Sequence, residues 1–282
     1  MRTLEPRRDD FWRVRSAVPT TAPFQEWQHF TVLAPGVDLL VNFSLAGPPG
    51  LGPGAARTGR VIVLARTRAW AGFVETIPRP VVARDGCRGR FGAHRIELGA
   101  RGYRIVVDAP AHGVFLDATF RPETVPITAR RQALAPGCHL DWRLTARLAV
   151  EGRLEIGNEN GNEAIDLAGA AGYHDHNWGH FAWGDDFAWE WGSVLPRDGG
   201  DWAVVYSSLM NRARTELALE QVFVWRGPLN VLAAGGLDVR ARGRGRCVVR
   251  PELRVPPPMA LLHGRGDTDV PRRLEIAARR GG

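Results

Sequence analysis

The 282 residues suffice for one large domain or two of ordinary size, and 44% hydrophobic against 24% charged residues excludes a disordered chain. A net charge of +7 raises nucleic-acid binding, but all 37 basic residues are Arg and none is Lys. That points to biased coding composition, and the arginines are scattered singly, with no basic stripe, zinc finger or aromatic RNA-binding motif, so no nucleic-acid partner is expected.

In chain order, residues 1–12 (MRTLEPRRDDFW) lack the apolar core of a signal peptide, and no run approaches the roughly 18 apolar residues of a spanning helix. A cytoplasmic protein is the default expectation. The 33 glycines and 20 prolines fall between short runs of period-two alternation, which predicts an all-β chain. A strand is expected over 28–34 and another over 37–45, where Val37, Leu39, Val41, Phe43 and Leu45 share one face. A Gly- and Pro-rich loop follows at 47–59, then strands at 60–67, 94–99, 102–108 and 113–120, punctuated by turns at 84–86 and 100–102.

Residues 141–150 alternate more cleanly, with Trp142, Leu144, Ala146, Leu148 and Val150 inward and Asp141, Arg143, Thr145 and Arg147 on the opposite, half-exposed side. After a predicted loop over 157–172 come strands at 180–193, 201–209 and 219–226, with a turn at 196–200. Residues 211–220 (NRARTELALE) form either a short helix or a loop leading into a strand. The last strands are 236–242, 244–250 and 272–277, the first two joined by a turn at Arg242-Gly243-Arg244-Gly245-Arg246. So many strands predict two barrel-like or sandwich-like halves, divided within 130–150. Cys87, Cys138 and Cys247 are odd in number and form no CxxC pair, which argues against a disulfide framework or a cysteine zinc site.

One stretch carries chemistry: Gly172-Tyr173-His174-Asp175-His176-Asn177-Trp178-Gly179-His180, continuing through Trp183 to Trp189-Glu190-Trp191. Three of eight histidines and four of ten tryptophans fall within these 20 residues. If 173–176 is extended, His174 and His176 point to one side and Asp175 to the other. A His beside a carboxylate is how a general acid or base is prepared, and tryptophan faces shelter developing positive charge. Two alternatives stand beside this. In one, Asp175 and Asn177 cap a tight turn and backbone groups satisfy the histidines. In the other, His174, His176 and His180 bind a metal, although no further ligand is evident. A weaker cluster, Glu26-Trp27-Gln28-His29-Phe30, is either plain core or places Glu26 and His29 at the same cavity.

The 172–179 string resembles the signature of the carotenoid 1,2-hydratase (hydroxyneurosporene synthase) superfamily, with its AttH-type relatives and the lipocalin-like Diels–Alderases. Glu26-Trp27, Leu140-Asp141-Trp142 and Val150-Glu151-Gly152 are similar to the same pattern. The resemblance is specific over about 138–192. It implies two consecutive lipocalin-like β domains, here 1–140 and 141–282, the second incomplete at its C-terminus. It also implies an apolar cavity and chemistry without an organic cofactor: hydration of a polyene double bond, or cyclisation, including Diels–Alder closure.

The expectation is therefore a cofactor-independent lyase or cyclase acting on a hydrophobic isoprenoid, polyene or polyketide. His174, Asp175 and His176 are the candidate catalytic residues, and Tyr173, Asn177, Trp178, Trp183, Trp189, Trp191, Glu26 and His29 the candidate substrate-binding residues. No metal is assigned. The rival readings are a non-catalytic lipid or isoprenoid carrier and a metal-dependent enzyme; peripheral contact with a membrane stays open.

Overall fold

The computed structural model describes residues 10–14, 20–48, 50, 57–68, 70–158, 161–182, 187–196, 200–211, 215–235, 237–248 and 267–278. These residues hold nineteen strands: β1 Phe24–Ala34, β2 Val37–Gly47, β3 Thr58–Arg66, β4 Trp70–Ile77, β5 Val81–Val82, β6 Arg88–Phe91, β7 His94–Gly99, β8 Gly102–Ala109, β9 Val114–Pro122, β10 Ile127–Ala135, β11 Cys138–Asn158, β12 Gly161–Asp166, β13 Ala170–His180, β14 Ala188–Val194, β15 Trp202–Met210, β16 Leu217–Arg226, β17 Leu229–Ala234, β18 Leu237–Val248 and β19 Asp267–Ala278. Apart from 3-10 turns, no helix occurs among the described residues, and none there is long and apolar enough to cross a membrane.

Thirteen strands form one antiparallel sheet in the order β4-β3-β2-β1-β13-β11-β9-β8-β7-β6-β5, with β10 and β12 added along β11. The sheet curls, so that Phe43 of β2 meets Phe91 of β6 with ring centroids 5.3 Å apart. A second sheet, β14-β15-β16-β17, and a β18–β19 pair complete the all-β architecture. The β1–β2 hairpin turns through Pro35-Gly36, where Pro presets the first position and Gly36 takes the left-handed φ of +82° that the second requires.

Two hydrophobic cores follow. The first fills the curled sheet with Phe30, Val41, Phe43, Val61, Phe91, Ile105 and Phe120 among others. The second lies between the main sheet and β14–β17, around Trp142, Leu144, Tyr173, Val205, Phe223 and Trp225. Three adjacent strands of the main sheet, β1, β13 and β11, separate the cores and present alternate residues to each. This explains one departure from the alternation. Arg143 and Thr145, expected on a half-exposed face, are 2% and 1% exposed, because β11 has a core on both sides here.

Residues 140 and 141 lie within β11, a single strand of 21 residues that pairs with β10 and β13 near its start and with β9 and β12 near its end. Other expectations are corrected. The loop expected at 157–172 contains β12, an edge strand of mostly polar, exposed residues that carry no apolar period. The strand expected over 180–193 is two: β13 ends at His180 and β14 starts at Ala188, with 183–186 outside the described residues. Of the two alternatives for 211–220, the strand-forming one holds. Asn211 Oδ1 accepts from Thr215 N at 2.9 Å and closes a β15–β16 connection that runs straight into β16. The Arg242–Arg246 run does not turn. It lies within β18, paired with β19 from Leu237 to Val248.

Candidate active site

β13 is the axis of the site. It pairs with β1 on one side, Gln28 opposite His176 and His29 opposite Asp175, and with β11 on the other, Arg143 opposite His176 and Leu144 opposite Asp175. The pairing needs Gly179: a Cβ there would lie 2.1 Å from the His139 carbonyl oxygen of β11. From Gly172 to His180 every residue is buried. The segment is a straight strand, so the capped-turn alternative for Asp175 and Asn177 does not hold.

The face toward the first core carries His174, His176, Trp178 and His180. His176 Nε2 meets Glu26 Oε1 at 2.8 Å, and both side chains are fully buried. Glu26 also accepts the backbone N–H groups of Arg13 at 2.5 Å and Val14 at 2.8 Å. His174 Nε2 lies 2.7 Å from Gln28 Oε1, and the Gln28 amide donates to the Asp10 carbonyl at 3.3 Å. That fixes the amide's orientation, so His174 carries its proton on Nε2 and leaves Nδ1 a lone acceptor without a partner. Burial, then the neighbouring His176, drives the His174 pKa well below the ordinary value, so the ring is neutral. It sits between Phe30 and Tyr103, each 4.4 Å away by centroid. Arg143 pairs with the Asp10 carboxylate, again inside the protein. All these contacts fasten residues 10–14 into the first core, where Trp12 and Val14 are buried.

The opposite face carries Tyr173, Asp175 and Asn177, and a different chemistry. The Tyr173 hydroxyl donates to Asp175 Oδ2 at 2.8 Å, and the Asn177 amide donates to Oδ1 at 2.5 Å. Trp191 of β14 donates from Nε1 to the Tyr173 oxygen at 3.2 Å. Among the described residues no cation is paired with this carboxyl. Burial lifts the Asp175 pKa from 3.8 to about 7, against the opposing pull of Tyr173, Trp142 and Asn177. His29, directly opposite, is pushed down to about 4 by burial, so it is neutral, with its ring 5.3 Å from Trp191. Trp142 meets Trp189 edge-on at 6.2 Å, and Trp27 lies 6.0 Å from Trp189. Trp189 Nε1 donates to Ser207 Oγ at 2.7 Å. Trp27, His29, Trp189 and Trp191 are only half-buried although they point between the two sheets, so solvent reaches this layer at the β1–β14 side.

The candidate residues are thus divided. Tyr173, Asp175, Asn177, His29, Trp189 and Trp191 come together between the sheets. Glu26, His174, His176 and Trp178 lie across the strand in the first core, with the Arg13 guanidinium 5.6 Å from the Trp178 ring centre. Trp183 lies outside the described residues. The three imidazoles of the metal alternative share a face but engage separate partners, His180 through Thr20 Oγ1 at 2.7 Å, and no group of three potential ligands occurs among the described residues. Sequence reasoning passed over Arg143, Asp10 and Gln28. The available signal was an Arg and a Thr on the polar side of a strand facing the motif, which becomes informative only once both faces are known to be buried.

No protein-family profile matches the chain, and no curated protein matches its sequence. Solved structures do. CghA in complex with Sch210972 superposes with a TM-score of 0.54 at 15% identity, over 75% of this chain and 60% of that one. An AttH-like protein from Nitrosomonas europaea gives 0.59 at 11% identity, over 80% and 72%. Kievitone hydratase from Nectria haematococca gives 0.54 at 14% identity, over 90% and 76%. The chain spans about three-fifths of the length of CghA. At these identities the likeness is one of fold, and the chain has the fold shared by CghA, an AttH-like protein and kievitone hydratase.

Proposed function

We propose that the protein is an enzyme, independent of organic cofactors, that adds water to or cyclises a hydrophobic unsaturated small molecule held between the two sheets. The observation that carries this is Asp175: a buried carboxyl with a pKa of about 7, hydrogen-bonded on both oxygens, in the layer that holds Trp142, Trp189 and Trp191. Such a group is half protonated near neutrality, the condition under which one side chain serves as acid and then as base. The fold is shared with a kievitone hydratase and with CghA, which supports an enzyme acting on small molecules.

In the hydration reading, Asp175 gives its proton to one carbon of a C=C bond and becomes the carboxylate. The faces of Trp142, Trp189 and Trp191 stabilise the cation left on the other carbon. Water adds to that carbon, and the proton it sheds returns to Asp175. In the cyclisation reading a second double bond attacks the cation instead, and loss of a proton to Asp175 restores the acid. A pericyclic closure transfers no proton. It needs only the folded conformer and a hydrogen bond from the neutral carboxyl, and orientation alone is worth several kcal/mol. Asp175 is the acid–base residue of this reading. Tyr173 and Asn177 position it, and His29, Trp189 and Trp191 shape the site. His174, His176, Glu26 and Trp178 are assigned to the first core's architecture.

The test is incubation with linear polyenes, read by mass: a gain of one water for hydration, no change in mass but a new retention time for cyclisation. Asp175→Asn is expected to lower turnover by about a hundredfold or more, the scale of a positioned acid or base. A carrier of the same fold would bind these compounds and return them unchanged in wild type and variant alike.

A further inference from the structure

The polar atoms between the sheets are not all accounted for. Asn177 donates through its amide nitrogen to Asp175, which orients the amide and leaves its oxygen Oδ1 buried with no hydrogen-bond partner. Asn177 is 0% exposed, so bulk water does not serve that oxygen. On the neighbouring strand, His29 Nε2 is also buried and unpartnered, and burial keeps the ring neutral. Asn177 and His29 stand on the same face, Asn177 opposite Trp27 and His29 opposite Asp175. An unpaired buried polar atom, donor or acceptor, costs roughly 1–3 kcal/mol, so these two atoms on the face of Asp175 are unfavourable until something binds them.

We propose that Asn177 reads a hydrogen-bond donor on the ligand, so that the molecule this site takes is an unsaturated apolar body bearing a hydroxyl group and not a bare hydrocarbon. The inference rests on the reading of this layer as the ligand site and deepens it. The carbonyl oxygen of an amide accepts only, so its partner must be an O–H or N–H, and a site built to pair with a hydroxyl rejects the analogue that lacks one. His29 Nε2 accepts a second donor or gives its own proton to the ligand oxygen, according to its tautomer. Trp27, Trp189 and Trp191, half-buried around the polar pair, take the apolar remainder.

The probes are farnesol and β-farnesene, of equal carbon count, one with a terminal hydroxyl and one without. Quenching of tryptophan fluorescence in the full chain reads the affinity of each. Farnesol should bind about tenfold more tightly than β-farnesene to the wild-type protein. Asn177→Leu should remove most of that preference by weakening farnesol while leaving β-farnesene unchanged or tighter. Asn177→Ser, a smaller change at the buried position, should do the same in lesser degree. Asp175→Asn, which still offers an oxygen to the Asn177 amide, should keep the preference. Equal binding of the two compounds by wild type, or a preference that survives both Asn177 substitutions, overturns the inference and leaves the acid–base reading of Asp175 standing. If neither compound binds, the inference and the reading of this layer as an apolar ligand site fall together.

Discussion

The two faces of β13 use the same kinds of residue to opposite ends. On the first-core face most donors and acceptors are paired, His174 Nδ1 excepted: Glu26 takes two backbone N–H groups and His176, Gln28 joins His174 to the Asp10 carbonyl, and Arg143 pairs with the Asp10 carboxylate. The charged groups there have partners of opposite charge or backbone dipoles, which is what makes burial tolerable. On the other face the donors to Asp175 are neutral, and among the described residues its charge has no counter-ion. The raised Asp175 pKa follows from its burial. A carboxyl in an apolar layer that keeps its proton to about pH 7 is fit for proton transfer, whereas a carboxyl clamped by three donors is fit for holding a chain segment in place. In the proposed assignment the acid–base chemistry therefore lies with Asp175, across the strand from His174 and His176.

The pH dependence of stability separates the two faces of β13 most strongly. Asp175 holds its proton in the folded state to about pH 7 and loses it near 3.8 when unfolded. Between those values the folded state binds more protons, so stability is full below about pH 4 and falls as pH rises through 7. The shift corresponds to at most about 4 kcal/mol. Asp175→Asn removes the ionisation, so the melting-temperature difference in favour of the variant should widen from pH 5 to pH 7 and level off above that. A gap independent of pH would mean that the carboxyl is ionised throughout. His29, lowered to about 4, acts in the opposite sense: it makes wild type and Asp175→Asn alike gain stability as pH rises from 4 to 6.5, and it cancels from their difference.

On the first-core face the corresponding change is Glu26→Gln. One acceptor oxygen replaces two, and an NH2 group is set against N–H donors. The expected cost is about 3 kcal/mol in denaturant unfolding, with turnover per folded molecule changed by less than about threefold. A hundredfold loss of turnover with unchanged stability would return His176 and Glu26 to the catalytic machinery.

Much of this was legible in the sequence. Period-two alternation located β1, β2, β3 and β8, and the crowding of His, Asp and Trp singled out β13. The prediction that His174 and His176 oppose Asp175 follows from the pleat alone. Alternation could not show that β11 and β13 have a core on each side. A strand buried on both faces by polar and apolar residues in turn looks like a half-exposed one until its neighbours are known, which is why Arg143 was expected near solvent. β12, which carries no apolar period, is set by hairpin pairing with the preceding β11, and the single strand spanning Arg242–Arg246 by pairing with β19. The Asp10–Arg143 pair joins residues 133 positions apart and leaves no local trace.

The account turns on one ionisation, and it can be observed without any ligand. Carbon-13 NMR of the aspartate carboxyl resonances, with Asp175→Asn assigning the signal by its disappearance, should give Asp175 a titration midpoint near pH 7 in the folded protein. A midpoint near 4, the ordinary range for an aspartate, would contradict the acid–base role and with it the division of labour between the two faces of β13.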